Sequence, residues 1–156
     1  MRLIIVRHGE AEAFAGAASD AARQLTATGR SDVERLGEWL AGCSFEIQRI
    51  AASPYVRAEQ TAALLASKLG HTDLVAIESG LQPDESPGAV IERLAVKSFD
   101  TVVLVSHQPL VGRLLNLLVD RNTLPVFMPA CCAVVEADVV APTCAHLVSF
   151  MSPEDK

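Results

Sequence analysis

Two segments of the chain set a histidine at the end of an apolar run: Leu3-Ile4-Ile5-Val6-Arg7-His8-Gly9 near the start, and Thr101 to Val105 followed by Ser106-His107 in the second half. Both runs are rich in β-branched residues and read as strands buried on both faces. In open α/β sheets ligands bind beyond the carboxyl ends of the strands, which is where these imidazoles fall. Arg7 adds a planar fork of donors suited to phosphate. Arg57 falls in the first turn of a helix expected to start at Ser53-Pro54, where backbone N–H groups already favour an anion. Two arginines and two histidines meeting at one point, with no paired carboxylates nearby and no magnesium-loop sequence, describe a dianion site that needs no metal and no cofactor. A phosphoryl group fits: Arg7 and Arg57 hold its equatorial oxygens and His107 is a further donor if protonated. A neutral His8, its other ring nitrogen held by a backbone carbonyl, attacks phosphorus in line, and water later releases the phosphohistidine. Arg-His-Gly alone carries little weight, because tripeptides recur by accident; the second histidine and Arg57 give it meaning.

The elements that must carry these groups alternate in type. After the strand at Leu3 to Val6, Ala11 to Ala22 reads as a loop skirting the crevice, broken by Gly16, Ser19 and Asp20. Thr26 is the expected N-cap of a helix carrying Val33, Leu36 and Leu40 at helical spacing and stopping at Gly42, with Trp39 covering an edge of the core. Ile47 to Ala52 reads as a second strand, followed by a helix capped by Ser53, carrying Ala58, Ala62, Leu65 and Leu69 as its apolar stripe and ending near Gly70. Leu74 to Ile77 is a third strand, and Ser86-Pro87 repeats the cap-then-proline start for a helix ending near Lys97. Thr101 to Val105 is a fourth strand, and Leu110 to Leu118 the helix after it. Ala133 to Val140 and His146 to Phe150 read as two strands joined by a short turn at Ala141-Pro142, the first half-exposed because Glu136 and Asp138 share a face. This order predicts an α/β fold: three layers, α/β/α, with a mainly parallel central sheet and an antiparallel edge.

At 156 residues the chain suits a single domain able to bury its own core, and half of its residues are hydrophobic. Net charge is −6, and only 3 of the 13 basic residues are lysines, which argues against a nucleic-acid surface and asks a specific reason of any cluster of arginines. The first apolar run is too short for a secretory signal, and no stretch approaches the roughly 18 residues of a membrane span, so a soluble, cytoplasmic protein with no membrane partner is expected. Cys43, Cys131, Cys132 and Cys144 lack metal-site spacing and read as reduced thiols. His71 and His146 receive no functional role.

Taken together, the motifs resemble the histidine phosphatase (phosphoglycerate-mutase-like) superfamily. Arg7-His8-Gly9 matches its signature, Leu25 to Gly29 its Leu-Thr-x-x-Gly, Ser53 to Ala62 its Ser-Pro-x-x-Arg-Ala-x-Gln-Thr-Ala block, and Ser106-His107 its second histidine. The segments Arg23-Gln24-Leu25-Thr26 and Val105 to Gly112, with the small size, are most similar to the short SixA-type phosphohistidine phosphatases. The resemblance implies one histidine-phosphatase-like domain over residues 1–156, with His8 as nucleophile, Arg7, Arg57 and His107 as the phosphate pocket, and Arg23 as a further substrate contact. Members acting on phosphate esters usually carry a glutamate after a leucine beyond the third strand. Here the counterpart is Leu81-Gln82, and Gln82 has no carboxyl proton to give, though Asp84 and Glu85 follow. A phosphoimidazole protonated on its other nitrogen leaves as neutral imidazole, whereas an alcohol leaves badly without an acid, which favours P–N over P–O cleavage. Short connections leave no sequence for a lid, so the groove is expected to accept a phosphohistidine on a partner protein such as a histidine-containing phosphotransfer domain.

Three other readings compete. A small-molecule phosphatase or mutase of the same superfamily uses the same four residues, the mutase being disfavoured by the missing lid. A phosphate-reading module without turnover would keep the pocket and lose the chemistry. Cys43 to Arg49 has the Cys-x5-Arg spacing of cysteine-dependent phosphatases, but it follows a helix, enters a strand and contains Phe45 and Glu46 where small residues are needed.

Overall fold

The structure, a computed structural model, describes residues 1–121 and 123–155. Its elements in order are β1 (Arg2–Arg7), α1 (Ala27–Gly42), β2 (Arg49–Ala52), α2 (Val56–Leu69), β3 (Val75–Ile77), α3 (Pro87–Ala95), β4 (Thr101–Ser106), α4 (Leu110–Leu118), β5 (Cys132–Ala137) and β6 (Ala145–Met151). The strands form one sheet of order β3-β2-β4-β1-β5-β6. Strands β3, β2, β4 and β1 are parallel; β5 runs antiparallel to β1, and β6 antiparallel to β5. The three-layer architecture with an antiparallel edge is as the sequence pattern predicts.

Side-chain alternation along the central strands divides the core in two. Leu3, Ile5, Val102 and Leu104 pack against Val90, Ile91 and Leu94 of α3 and Leu110, Val111 and Leu114 of α4. Ile4, Val6, Val103 and Val105 pack on the other face against Val33, Leu36 and Leu40 of α1 and Ala58, Ala62 and Leu65 of α2. A strand buried on both faces has no solvent-facing positions to fill with polar residues, hence the unbroken apolar runs. Each fully buried Ile, Leu or Val contributes roughly 1.5–3 kcal/mol by leaving water.

Helix starts follow local chemistry. Thr26 Oγ1 accepts from Gly29 N at 3.0 Å to cap α1, and Ser86 Oγ accepts from Ala89 N at 3.4 Å ahead of Pro87 to cap α3. Gly70, in the left-handed region at φ 72°, closes α2. The expected cap at Ser53 is different: α2 begins only at Val56, Tyr55 holds the cap position without a side-chain bond, and Ser53 Oγ turns to His107 at 2.7 Å. Strand β5 also differs from expectation. It is an interior strand between β1 and β6, buried along most of its length, and it ends at Ala137 before Asp138. Glu136 satisfies its charge on Arg2 across the β1–β5 pair, so the edge role falls to β6, reached through a seven-residue connection rather than a tight turn. Helix α3 stops at Ala95, two residues short of Lys97, and β2 begins at Arg49 rather than Ile47.

The loop leaving β1 passes directly over the start of α1. A Cβ on Gly29 would stand 2.1 Å from the Glu10 carbonyl oxygen, backbone that has nowhere to move, and one on Gly9 would meet the Gly29 carbonyl oxygen at 2.8 Å. This contact lets the chain turn immediately after His8. Gly29→Ala is therefore expected to destabilise the protein by about 1–3 kcal/mol in denaturant unfolding, the usual magnitude of overpacking. Gly42→Ala, where the added methyl meets nothing within 4 Å, serves as the comparison and is expected to be neutral or slightly stabilising. Equal stabilities for the two variants would contradict the close approach.

Candidate active site

Parallel register delivers the site. Arg7 pairs with Ser106 across β1 and β4, and Ala52 with Val105 across β2 and β4, so His8, Ser53 and His107 leave adjacent strands at the same end of the sheet. Backbone bonds extend this order past the strands: His8 N donates to Ser106 O at 3.0 Å, and Ser53 N to Val105 O at 3.0 Å. The two imidazole rings lie with centroids 5.0 Å apart.

His8 is 7 % exposed, and its Nδ1 lies 2.7 Å from the Gly9 carbonyl oxygen. A carbonyl only accepts, so Nδ1 carries the proton and Nε2 presents its lone pair. Arg57 Nε donates to that Nε2 at 3.2 Å. Burial first, and then the positive charges of Arg57, Arg7 and Arg23, push the His8 pKa down to about 4 against the opposing pull of the Gly9 bond. The nucleophile candidate is thus neutral near pH 7, with its reactive nitrogen facing a guanidinium.

His107 is 1 % exposed, and its pKa is pushed down to about 3, chiefly by burial and then by His8 and Arg57. Its Nε2 lies 2.7 Å from Ser53 Oγ. Ser53 Oγ also accepts from Tyr55 N at 3.4 Å, so its proton is free to go to His107 Nε2. With the Ser53 proton in that bond, the neutral imidazole carries its own at Nδ1, a buried atom without a partner among the described residues; in the opposite tautomer Nδ1 is an acceptor. In the first of these tautomers His107 donates to an anion while neutral.

The arginines complete the ring of donors. Arg7 is anchored through Nη1 to Phe127 O at 2.8 Å, while its buried Nε has no partner among the described residues. Arg57, 4 % exposed in the first turn of α2, donates from Nη1 to Asp20 O at 2.7 Å and from Nη2 to Asp20 Oδ2 at 3.2 Å, and its guanidinium carbon lies 5.0 Å from the Tyr55 ring centroid. Arg23 reaches the cluster from the loop: its Nε donates to Glu12 O at 2.7 Å and its Nη1 to Asp20 Oδ1 at 3.0 Å. All five residues anticipated from the sequence, His8, Arg7, Arg57, His107 and Arg23, gather at the carboxyl end of the parallel strands. Ser106 Oγ donates to Leu81 O at 2.6 Å, which brings the Leu81-Gln82 segment to the same end.

Three participants were not anticipated. Asp20 sits in a stretch that reads as a broken alanine-rich loop; its only sequence signal is an acidic residue three positions before Arg23, a spacing that suits an ion pair on a helical turn. Ser53 resembled a helix cap, and the Phe127 carbonyl has no side-chain signature at all. The Cys43–Arg49 alternative finds no cradle: Cys43 closes the carboxyl end of α1, and Arg49, at the opposite end of β2 from Ser53, is bonded to Glu78. Among the described residues no group of three His, Cys, Asp or Glu side chains is placed to hold a metal ion, and no helix is long and apolar enough to cross a membrane.

The depressed histidines make stability depend on pH. As pH falls below 6.5, the ordinary histidine value, the unfolded chain takes up protons that folded His8 and His107 refuse until about 4 and about 3. Stability is therefore present in full above pH 6.5 and declines below it, by on the order of 1–2 kcal/mol per imidazole at pH 5. Denaturant unfolding at pH 7, 6 and 5 checks this, and an unchanged midpoint across that window contradicts two buried neutral imidazoles.

Residues 3–83 match the family model described as histidine phosphatase superfamily (branch 1). The chain is 34% identical over 141 residues to phosphohistidine phosphatase SixA of Escherichia coli strain K12, covering 88% of this chain and 86% of the relative. It is 35% identical over 140 residues to the SixA homolog of Haemophilus influenzae, covering 83% and 84% of the two chains. Among solved structures, the protein histidine phosphatase SixA complexed with tungstate superposes with a TM-score of 0.88 at 33% identity, over 98% of this chain and 97% of the other. The chain belongs to the histidine phosphatase superfamily.

Proposed function

We propose that this protein is a metal-independent phosphohistidine phosphatase acting on a partner protein, with His8 as the nucleophile. The observation that carries the reading is the neutral His8, locked by Gly9 at Nδ1 and facing Arg57 at Nε2, beside Arg7 Nε and His107 Nδ1, two buried nitrogens without a partner among the described residues. An arriving phosphoryl group places its oxygens on Arg7, Arg57 and His107, and Arg57 Nε–H passes from the imidazole to one of those oxygens. Nε2 then attacks phosphorus in line, the P–N bond to the substrate breaks, and the substrate imidazole, protonated on its other nitrogen, leaves neutral. Phosphorylated His8 still carries its Nδ1 proton on the Gly9 carbonyl. It is itself a protonated phosphoimidazole, and water displaces it as neutral imidazole, giving phosphate and regenerating the enzyme.

The substrate class rests on two further supports. Gln82 stands where an ester-cleaving relative is expected to carry an acid, and an imidazole needs no acid to leave. Phosphohistidine is also the group named for the relatives in Escherichia coli and Haemophilus influenzae. A phosphorylated histidine-containing phosphotransfer domain is the partner this chemistry fits, and four free thiols accord with a reducing cytoplasm.

Two measurements test the reading. Against a phosphorylated phosphotransfer domain and a panel of sugar and nucleotide phosphates, kcat/KM is expected to favour the phosphoprotein, and His8→Ala to lower it by at least about 1,000-fold. Trapped phosphoenzyme is expected to be lost in acid and kept in alkali. Preference for the small esters overturns the substrate, and turnover surviving His8→Ala overturns the nucleophile. Gln82→Glu is expected to raise alkyl phosphate hydrolysis by about tenfold or more while changing phosphohistidine turnover by less than about twofold, in line with what a placed general acid contributes. No gain on esters removes Gln82 from the specificity argument.

A further inference from the structure

We propose that Asp20 is the positioning residue of the phosphate pocket, a single carboxylate that ties Arg57 to Arg23 and thereby aims Arg57 at His8. The proposal rests on the pocket receiving a phosphoryl group, as argued above, and is independent of which phosphoryl donor is the substrate.

The geometry is specific. Asp20 divides its carboxylate, Oδ2 accepting from Arg57 Nη2 at 3.2 Å and Oδ1 from Arg23 Nη1 at 3.0 Å, while its backbone oxygen accepts from Arg57 Nη1 at 2.7 Å. A guanidinium is planar and rigid, so holding both terminal nitrogens fixes the direction of the third. That third nitrogen is Nε, 3.2 Å from His8 Nε2. Arg57 thus owes its aim to a loop residue 37 positions earlier in the chain.

The loop is itself organised to present Asp20. Ser19 Oγ accepts from Ala22 N at 3.2 Å and Arg23 N donates to Asp20 O, forming a single tight turn with Asp20 as its first residue. Electrostatics gives the carboxylate a second task. Arg7, Arg23 and Arg57 all bear on His8, and three guanidinium groups this close repel one another. Asp20 offsets one positive charge, leaving the pocket at a net of two, the charge of a phosphoryl dianion. The arginine fork of Asp20 holds its carboxyl below the usual carboxylate range, with the Arg23 bond the largest cause, so the tie persists at neutral pH. Its side chain is 44% exposed, and replacement disturbs no packed core.

A double-mutant cycle tests the tie, read on both a phosphohistidine protein and para-nitrophenyl phosphate. Asp20→Ala is expected to lower kcat/KM on both by about 10–100-fold in the unmodified background, but by less than about twofold in Arg57→Ala, where there is no guanidinium left to aim. Asp20→Glu, which keeps the charge and changes the shape, is expected to recover more activity than Asp20→Asn, which keeps the shape and loses the charge. Orthovanadate binding gives a readout free of turnover, and is expected to weaken in Asp20→Ala by a similar factor. Equal losses in the two backgrounds, or wild-type vanadate affinity in Asp20→Ala, overturn the proposal. A preference for esters with the Asp20 dependence intact overturns only the substrate assigned above.

Discussion

The interaction on which this molecule depends is the contact between a charged guanidinium and a neutral imidazole, Arg57 Nε to His8 Nε2 at 3.2 Å, in a place water barely reaches. In water the His8 ring would titrate near neutrality and its lone pair would be hydrated. Here burial and three nearby positive charges hold it unprotonated, and Gly9 decides which nitrogen keeps the proton. Much of the fold serves this arrangement. The doubly buried β1 fixes where His8 emerges, the parallel pairing with β4 brings His107 beside it, and the first turn of α2 supplies Arg57. The close passage of Gly9 and Glu10 over Gly29 sets the turn that follows the ring.

Such a concentration of positive charge is costly, and the surroundings are built to carry it. Arg7 leans on the Phe127 carbonyl, Arg23 on the Glu12 carbonyl, and Arg57 on the carbonyl and carboxylate of Asp20. Backbone carbonyls are well suited to this role because they accept strongly from a guanidinium without cancelling its charge. Among the described residues Asp20 is the one formal anion bonded to the cluster, and it sits on the solvent side, where it steadies the arginines and leaves the inner nitrogens, Arg7 Nε and His107 Nδ1, without a partner.

The parts of this design that were legible in the sequence are those where one physical requirement acts over a short span. A strand buried on both faces has to be apolar throughout, so β1 and β4 were visible, and with them the places where His8 and His107 emerge. Thr26 and Ser86 cap helices through bonds to residues three positions on, and were equally readable. What escaped depends on partners far along the chain. Ser53-Pro54 has the composition of a helix start, but the Ser53 hydroxyl is taken by a histidine 54 residues away, and the helix waits until Val56. Strand β5 looked half-exposed because Glu136 and Asp138 alternate. Only the pairing with β1 reveals that Glu136 is neutralised by Arg2 and that Asp138 lies outside the strand. Asp20 belongs largely to the same class: its spacing to Arg23 is local, but its bonds to Arg57, 37 positions on, are not.

The bond between His8 Nδ1 and Gly9 O also bears on why a P–N substrate suits this site. In the proposed mechanism it would make Nε2 the nucleophile in the first transfer and keep the phosphorylated ring protonated on its far nitrogen in the second, so the departing group in both steps would be a neutral imidazole. The two half-reactions are then nearly mirror images, with substrate imidazole and His8 exchanging places about the same phosphorus. An enzyme so balanced needs donors for the phosphoryl oxygens and a water, and no residue that changes protonation to assist a leaving group. Two histidines held well below their ordinary pKa and an amide at Gln82 make poor acids near neutral pH. Against an alkoxide that is a deficiency. Against phosphohistidine, the proposed substrate, it would cost nothing, because that substrate brings its own proton.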